Sequence, residues 1–295
     1  MCMLYPIAGL SRQGFHQSMD RDLEQREEQA QLEMLISRIR KDHPRIGCRT
    51  LYDMIQPKTM GRDRFEAFCY QRGFYLPKVR RFKQTTDSRG TPEVPNLLLE
   101  LDKIDGPDQV WVSDMMYIAI NGRFYFVTLI LDLYSREIVG YQASMDMRTV
   151  STTLPALKMA IRKRGITKEH KLILHSDGGG QYFAKAFIEF CGKLDIRSSR
   201  AEDVYDNAFA ERLNRTIKND YLIPYSPANF KELTQMLAKA VSLYNTARPH
   251  KSVGKYTPEE FARLTSQGLL TKTLVINKRK KEAKKEKVNI YMTMV

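Results

Sequence analysis

Long apolar runs and a secretory signal are both absent from this sequence of 295 residues. A membrane-spanning helix needs about 18–20 consecutive apolar residues, and the most apolar stretch, Phe124–Leu133, has only the length of a strand. The N-terminus lacks the charged region, apolar core and small-residue cleavage site of a signal peptide. We therefore expect a soluble cytoplasmic protein that neither enters nor crosses a membrane.

Cysteine is scarce, and its placement argues against disulfide scaffolds and zinc sites. The four cysteines form no CxxC pair, and no group of His and Cys residues has zinc-site spacing. Cys69 and Cys191 stand among apolar residues at helical spacing, which favours buried free thiols. Free thiols in turn fit a reducing compartment.

Positive charge, by contrast, is abundant. The chain has 48 Lys and Arg residues against 34 Asp and Glu residues, which gives a formal net charge of +14. Such a chain attracts polyanions, and nucleic acid is the leading candidate. The segment Asn277–Lys287 is nearly all charged and is predicted to be disordered when free. It is either a solvated tail or an arm that binds phosphates.

Residues 1–82 are predicted to form a small helical domain. A helix over 22–41 is indicated by apolar residues at i, i+3, i+4 and i+7, which are Leu32, Leu35, Ile36 and Ile39. Shorter helices are expected over 49–55 and 62–71. The last carries Arg62 and Arg64 on one face, so the region resembles a helix-turn-helix domain that binds DNA through these arginines. The alternative is a helical bundle with a solvated basic face.

After a polar linker, assigned to 83–108, the sequence becomes rich in strand-forming residues. A domain over 109–262 is predicted to have strands at 110–120, 124–134, 137–144, 171–175 and 196–199. Its predicted helices are 152–162, a segment around 184–191, 207–221 and 230–244. The order βββαβαβα plus a further helix indicates a mixed α/β layer architecture. Residues 263–295 are assigned to a C-terminal segment with the basic tail.

Three acidic residues stand out by their positions in these elements. Asp114 lies inside the first predicted strand, where a charge is costly unless it is paired or binds metal. Asp177 ends the fourth strand just before three glycines, and Glu211 lies one turn into a helix that Asp206 or Asn207 can cap. In this strand order the first and fourth strands are neighbours, so we expect the three carboxylates to meet. Such oxygen ligands suit two Mg²⁺ or Mn²⁺ ions that assist phosphoryl displacement.

Several motifs resemble the DDE catalytic core of bacterial insertion-sequence transposases, most closely the IS-three family, whose core is similar to retroviral integrase. They are the segments around Asp114, His175-Ser-Asp177, Tyr205-Asp-Asn-Ala and Glu211, with Tyr244-Asn-Thr-Ala-Arg-Pro-His250 and Thr257-Pro-Glu-Glu-Phe261 downstream. The resemblance covers about 109–262 and extends more loosely to the N-terminal helices. It implies an RNase H-like α/β fold, a mixed five-stranded sheet with flanking helices, preceded by the small helical domain.

The resemblance also implies a catalytic and metal-binding role for Asp114, Asp177 and Glu211, with Asp114 bridging both ions. The spacing from Asp177 to Glu211 is two residues shorter than is usual in the family, and a shorter loop before the helix would absorb the difference. Glu202 and Asp203 are the nearby rivals of Glu211, but they precede the predicted helix.

Further residues are candidates for contacts around the triad. Arg215 and Lys218 share a helix face with Glu211, so they are expected at the DNA end, unless Arg215 only forms a salt bridge with Glu211. Arg248 and His250 either contact DNA or tie the downstream segment to the core. Two more residues have an expected structural role: His175 in packing or hydrogen bonding and Asn207 in helix capping. The alternatives are that His175 positions water or DNA and that Asn207 supports the active site.

The implied activity is cleavage at the ends of a mobile element with water, followed by joining of a freed 3′-hydroxyl to target DNA. The implied partners are the terminal inverted repeats, target DNA, at least one further copy of the chain and the product of an upstream reading frame. We expect the protein in the bacterial cytoplasm, associated with the nucleoid. Two alternatives are an RNase H-like nuclease that does not join ends and a catalytically silent DNA-binding regulator derived from a transposase.

Overall fold

A computed structural model describes residues 11–76, 94–201, 207–277 and 289–294. The chain divides into two compact units, Met1–Phe74 and Tyr75–Val295. In the part of the chain that is described, none of the helices combines the length and the hydropathy that a membrane span requires. Several predicted features lie outside the described residues: the rival acids Glu202 and Asp203, the possible cap Asp206, the predicted linker as far as Glu93 and nearly all of the basic tail.

The first unit contains three helices, as the apolar spacing predicts: α1 (Arg12–Asp42), α2 (Cys48–Ile55) and α3 (Arg62–Gln71). They bury a common core of Leu32, Ile36, Ile46, Leu51, Met60, Phe65, Phe68 and Cys69. Helix α1 begins well before the predicted residue 22 because the Ser11 side chain caps it, accepting a hydrogen bond from the Gly14 N–H. Leu35, which was expected on the buried face, is 39% exposed.

The second unit is built on a mixed five-stranded sheet, which confirms the predicted fold class. Its strands are β2 (Val110–Ile120), β3 (Arg123–Asp132), β4 (Ile138–Ser144), β5 (Ile173–Ser176) and β6 (Arg197–Arg200), in the spatial order β4-β3-β2-β5-β6. Strands β2, β3 and β4 are antiparallel neighbours. Strand β5 runs parallel to both β2 and β6. The strands that carry Asp114 and lead into Asp177 are therefore adjacent, as expected.

Helices cover both faces of this sheet: α4 (Thr153–Arg164), α5 (Lys185–Lys193), α6 (Ala208–Thr216), α7 (Phe230–Thr246) and α8 (Pro258–Ser266). Because side chains alternate along a strand, Trp111 of β2 enters a core with α4 and α5, whereas Val112 enters a core with α6 and α7. Helix α6 continues as a π-helix over Ile217–Leu222 and ends in a last turn, Ile223–Tyr225. Glu211 and Lys218 therefore lie on one continuous helical segment.

A second, three-stranded sheet differs from the prediction. Strand β1 (Lys103–Ile104) pairs with β7 (Lys272–Asn277), which pairs with β8 (Asn289–Met294). The segment 97–104 was assigned to the linker, yet Leu98 and Ile104 are buried in the core shared with α6 and α7. A two-residue strand is too short to show an alternating pattern, and its partner lies far along the sequence. The predicted domain boundaries themselves stay predictions.

Candidate active site

Strand pairing places Asp114 and Asp177 side by side. In the parallel register of β2 and β5, Ser113 pairs with Ser176, so the next residue of each chain segment is one of the two aspartates. The strand β5 ends there. The Asp177 carboxylate accepts a hydrogen bond of 3.1 Å from the Gly179 N–H, and Gly178 between them has a φ of +85°. Glycine adopts this left-handed conformation without strain, which lets the chain turn directly after Asp177.

Glu211 is brought to the same place by contacts between α6 and β2. The Asn207 amide donates to the Ser113 carbonyl at 3.1 Å, and the Asn214 amide donates to the Asp114 carboxylate at 2.9 Å. The earlier asparagine of α6 contacts the earlier residue of β2, and the later asparagine contacts the later residue. Helix α6 therefore runs beside β2. Glu211 lies on the helix between the two asparagines, in the first turn of α6.

Electrostatic interactions show that the three carboxylates converge. The pKa of Asp114 is raised to about 7, chiefly by burial and then by the negative charges of Asp177 and Glu211, against hydrogen bonds from the Met115 N–H and Asn214. Burial also raises the pKa of Glu211, which Asp177 raises too, while the cation of Arg215 lowers it. A buried carboxylate whose pKa is raised by neighbouring like charges is a candidate for a functional site that binds a cation.

The donor set fits a hard divalent cation. Carboxylate oxygens are the ligands that Mg²⁺ and Mn²⁺ prefer, and a cation would replace the repulsion between Asp114 and its two neighbours by attraction. Over the described ranges, however, no group of three or more His, Cys, Asp or Glu side chains is close enough to hold a metal ion as it stands. The chemistry of the donors fits, whereas the side chains would have to draw closer together.

Two asparagines hold this site in place, and the sequence indicated only one of them. Asn207 occupies the N-cap position of α6, but its side chain makes no cap hydrogen bond. The expectation that it caps the helix is therefore wrong; its amide ties the helix to the Ser113 carbonyl instead. Asn214 was missed. Its signal was its position three residues after Glu211, on the same helix face, in a helix interior where asparagine is unfavourable.

Arg215 and Lys218 occupy different environments on α6. Arg215 is exposed, and it lowers the pKa of Glu211 without forming a direct ion pair with it in the described structure. Lys218 is half-buried; its ammonium donates to the Tyr117 carbonyl at 2.9 Å and lies 4.6 Å from the centre of the Tyr117 ring. Burial lowers its pKa. The contact of both cations with DNA stays a prediction.

The downstream motif ties its segment to the core. Arg248 forms an ion pair of 2.8 Å with Asp220, which lies in the π-helix. The His250 ring packs edge-on against Tyr244 at 4.5 Å between centroids. Burial, together with Arg248 and other cations nearby, lowers the pKa of His250 to about 3. These contacts favour the second of the two alternatives for this motif, while direct contact with DNA remains untested.

The sequence singled out three other residues, one in the sheet and two in the first unit. His175 is fully buried in β5, and its Nδ1 atom hydrogen-bonds Ser199 Oγ of β6 at 2.9 Å. This contact agrees with the expected hydrogen-bonding role. In the first unit, Arg62 and Arg64 are exposed at the start of α3, and Arg62 pairs with Asp63 at 3.0 Å.

Known proteins are similar to this chain in sequence. The integrase core domain family matches residues 105–204, and a second integrase core domain family matches residues 193–258. The chain is 32% identical over 270 residues to the insertion element IS600 uncharacterized 31 kDa protein of Shigella sonnei. This match spans 88% of this chain and 97% of that protein. It is 30% identical over 204 residues to the transposase for insertion sequence element IS904 of Lactococcus lactis, across 66% and 77% of the two chains.

Solved structures resemble part of the chain. The HTLV-2 integrase catalytic core domain in complex with magnesium matches 53% of this chain and 97% of that domain, with a TM-score of 0.43 and 20% sequence identity.

Proposed function

Since the chain belongs to the bacterial insertion-sequence transposases with an integrase core, we propose that it cleaves the ends of its own element and joins them to target DNA. The observation that carries this proposal is the grouping of Asp114, Asp177 and Glu211: the pKa of Asp114 is raised to about 7, chiefly by burial, and the negative charges of Asp177 and Glu211 contribute to the rise. A structural role alone would not require three carboxylates that destabilise one another.

In the proposed reaction Asp114, Asp177 and Glu211 would hold two Mg²⁺ or Mn²⁺ ions. When bound, such ions activate a nucleophile and stabilise the leaving oxygen of an in-line phosphoryl displacement. The chain's own residues supply the positions. Asn214 orients the Asp114 carboxylate through its hydrogen bond of 2.9 Å, and Asn207 fixes the start of the helix that carries Glu211.

DNA is the proposed substrate, as terminal inverted repeats and as target. Exposed Arg215 stands next to Glu211 on α6, where it can contact a phosphate beside the scissile bond. The exposed Arg62 and Arg64 of α3 can do the same in the first unit. Synapsis of two element ends requires at least a dimer. An upstream-frame product is a further proposed partner.

A cleavage and joining assay tests this function. Purified protein is mixed with a labelled duplex that carries the element's own terminal repeat, plus Mg²⁺ or Mn²⁺, and wild type is compared with Asp177→Asn. We expect cleaved and joined products from the wild type only. Cleavage without joining would point to a nuclease, and binding without chemistry by either protein would point to a silent regulator.

Asp195→Asn provides a matched control for the loss of a carboxylate. Asp195 is exposed and has a φ of +55°, a conformation that asparagine tolerates. The variant makes the same chemical change outside the site, so it is expected to cleave and join like the wild type.

A further inference from the structure

An aromatic pair with one exposed ring lies on the β2–β3 hairpin, beyond the carboxylates. Phe124 is 58% exposed, and its ring meets the Tyr117 ring edge-on, with 5.4 Å between the centroids. The Lys218 ammonium lies 4.6 Å from the centre of the Tyr117 ring. The three side chains thus form a row from the helix that carries Glu211 to a free aromatic surface.

The row is reached from the carboxylates along one edge of β2. Strand β5 pairs with β2 only as far as Ser113, so it leaves the edge of β2 uncovered from Asp114 onward. At that edge Lys218 donates to the Tyr117 carbonyl at 2.9 Å. Phe124 pairs across the hairpin with Ala119, five residues after Asp114. At about 3.4 Å per residue, this is a distance of roughly 17 Å along the strand.

The sheet surface around this pair is not covered by either hydrophobic core. Met115, Tyr117 and Phe126 alternate onto one face of the hairpin, and none of them belongs to the two cores as they are described. The partner that would cover this face has to tolerate a cation. Lys218 stands against Tyr117, and the chain carries a net charge of +14. An anionic ligand with flat apolar faces meets both requirements.

We propose that Phe124, supported by Tyr117 and Lys218, is a stacking platform for an unpaired nucleobase of the DNA end. The inference rests on the proposed function, and it adds a contact that the carboxylates do not supply. An aromatic ring stacks with any base, and a nearby lysine ammonium neutralises the neighbouring phosphates. The base must be unpaired because the base faces within a duplex are already stacked. At about 3.4 Å per stacked nucleotide, it lies within about five nucleotides of the scissile phosphate.

Binding without metal tests the platform separately from catalysis. Two sets of terminal-repeat duplexes are compared, one fully paired and one with an unpaired 2-aminopurine at successive positions near the cleavage point. We expect the wild type to bind the duplex with an unpaired end more tightly than the fully paired one. Stacking of Phe124 on the 2-aminopurine should quench the fluorescence of that base. Phe124→Ala should lower the affinity for that end by about tenfold, as the loss of one stacked base predicts, and should leave the fully paired duplex unaffected.

Two matched variants separate stacking from loss of apolar surface. Phe124→Trp keeps an aromatic face and is expected to retain the preference and the quenching. Ile188→Ala removes an apolar side chain of similar exposure, 49%, from α5, and is expected to behave as wild type.

The platform and the proposed function fail in different ways. If Phe124→Ala binds and quenches like the wild type while the wild type cleaves and joins, the platform is wrong and the transposase function stands. If the wild type does not cleave but prefers unpaired ends, and the Phe124→Ala variant lacks that preference, the proposed chemistry is wrong and the platform stands. Absence of any preference in the wild type overturns the platform.

Discussion

Ser113 and Asp114 are neighbours on β2, yet they have opposite environments. Ser113 is fully buried, and its hydroxyl bonds both the Leu129 carbonyl at 3.0 Å and the Tyr182 hydroxyl at 2.8 Å. Asp114 faces the other side of the sheet, where burial and two like charges raise its pKa. A buried polar group whose hydrogen bonds are satisfied stabilises a fold, whereas a repelled carboxylate costs free energy and is retained for what it binds.

The comparison extends to the two faces of the sheet. On the Ser113 face, α4 lies so close to β4 that a Cβ atom added at Gly140 would be 2.3 Å from the Ala156 carbonyl oxygen. On the Asp114 face, two asparagine side chains hold α6 against β2. One face is therefore fixed by close packing. The other also has an apolar core, but around the charged site it is held by amides, so the two faces should respond differently to substitution.

The largest expected effect is that of Asp114→Asn on catalysis. We expect cleavage and joining to fall by roughly a thousandfold or more, because a metal-binding carboxylate is removed. Stability should change in the opposite direction. The folded-state pKa is raised to about 7 from 3.8, so wild type loses stability as pH rises from about 4 to 7. The loss is on the order of 2–4 kcal/mol.

Thermal unfolding between pH 4 and 8 checks this sign. Asp114→Asn is expected to melt at a higher temperature than the wild type at pH 7.5 and to show a flatter pH dependence. Addition of Mg²⁺ should raise the melting temperature of the wild type more than that of the variant. A variant that melts below the wild type at pH 7.5 would contradict the raised pKa of Asp114.

Gly140→Ala is expected to give the next largest effect, and on stability alone. The added methyl group would overlap the Ala156 carbonyl and lie 2.8 Å from Ala160 Cβ, so α4 must move away from the sheet. We expect a loss of about 1–3 kcal/mol, typical of overpacking, measured by urea unfolding. Gly192→Ala is the control: the added methyl meets no atom within 4 Å, and in a helix it should stabilise by up to about 1 kcal/mol.

The sequence predicted the five-stranded sheet well, for a physical reason. Strands β2 to β5 are long or strongly apolar, and the turn at Asn121-Gly122 marks the first hairpin. Only β6, with the sequence Arg-Ser-Ser-Arg, has neither property. The position of the carboxylates followed from strand order. Individual hydrogen bonds between residues far apart in the sequence could not be predicted. The Asn245 amide, for example, exchanges two hydrogen bonds of 2.9 Å with the backbone of Ile138, and nothing local in the sequence indicates that partner. The pairing of Lys103–Ile104 with β7 was missed for the same reason.

Asn214→Ala tests the amide that contacts Asp114 at the site itself. The hydrogen bond from Asn214 lowers the pKa of Asp114, so its removal should raise that pKa further and shift the acidic limb of the pH–rate profile to higher pH. Loss of a hydrogen bond to a charged group corresponds to about 1.5–3 kcal/mol, or a rate lower by roughly ten- to a hundredfold. The concentration of Mg²⁺ needed for half-maximal rate should rise as well.

Asn214→Asp separates positioning from simple packing, because it has nearly the same shape as asparagine. It places a fourth negative charge beside Asp114, so it should impair the reaction at least as strongly as alanine does. Equal activity of wild type and both variants, with an unshifted pH profile, would show that Asn214 only fills space.

The smallest expected effect is that of Tyr182→Phe on the Ser113 face. The variant removes the hydroxyl that bonds Ser113 Oγ, but that oxygen keeps its bond to the Leu129 carbonyl. We therefore expect a loss of only about 1 kcal/mol, the usual net value of one hydrogen bond, measured by urea unfolding, with cleavage and joining unchanged. Since Ser113 adjoins Asp114, this variant tests whether the two faces are independent. A drop in activity larger than the loss of stability explains would mean that the packed face also positions the carboxylate.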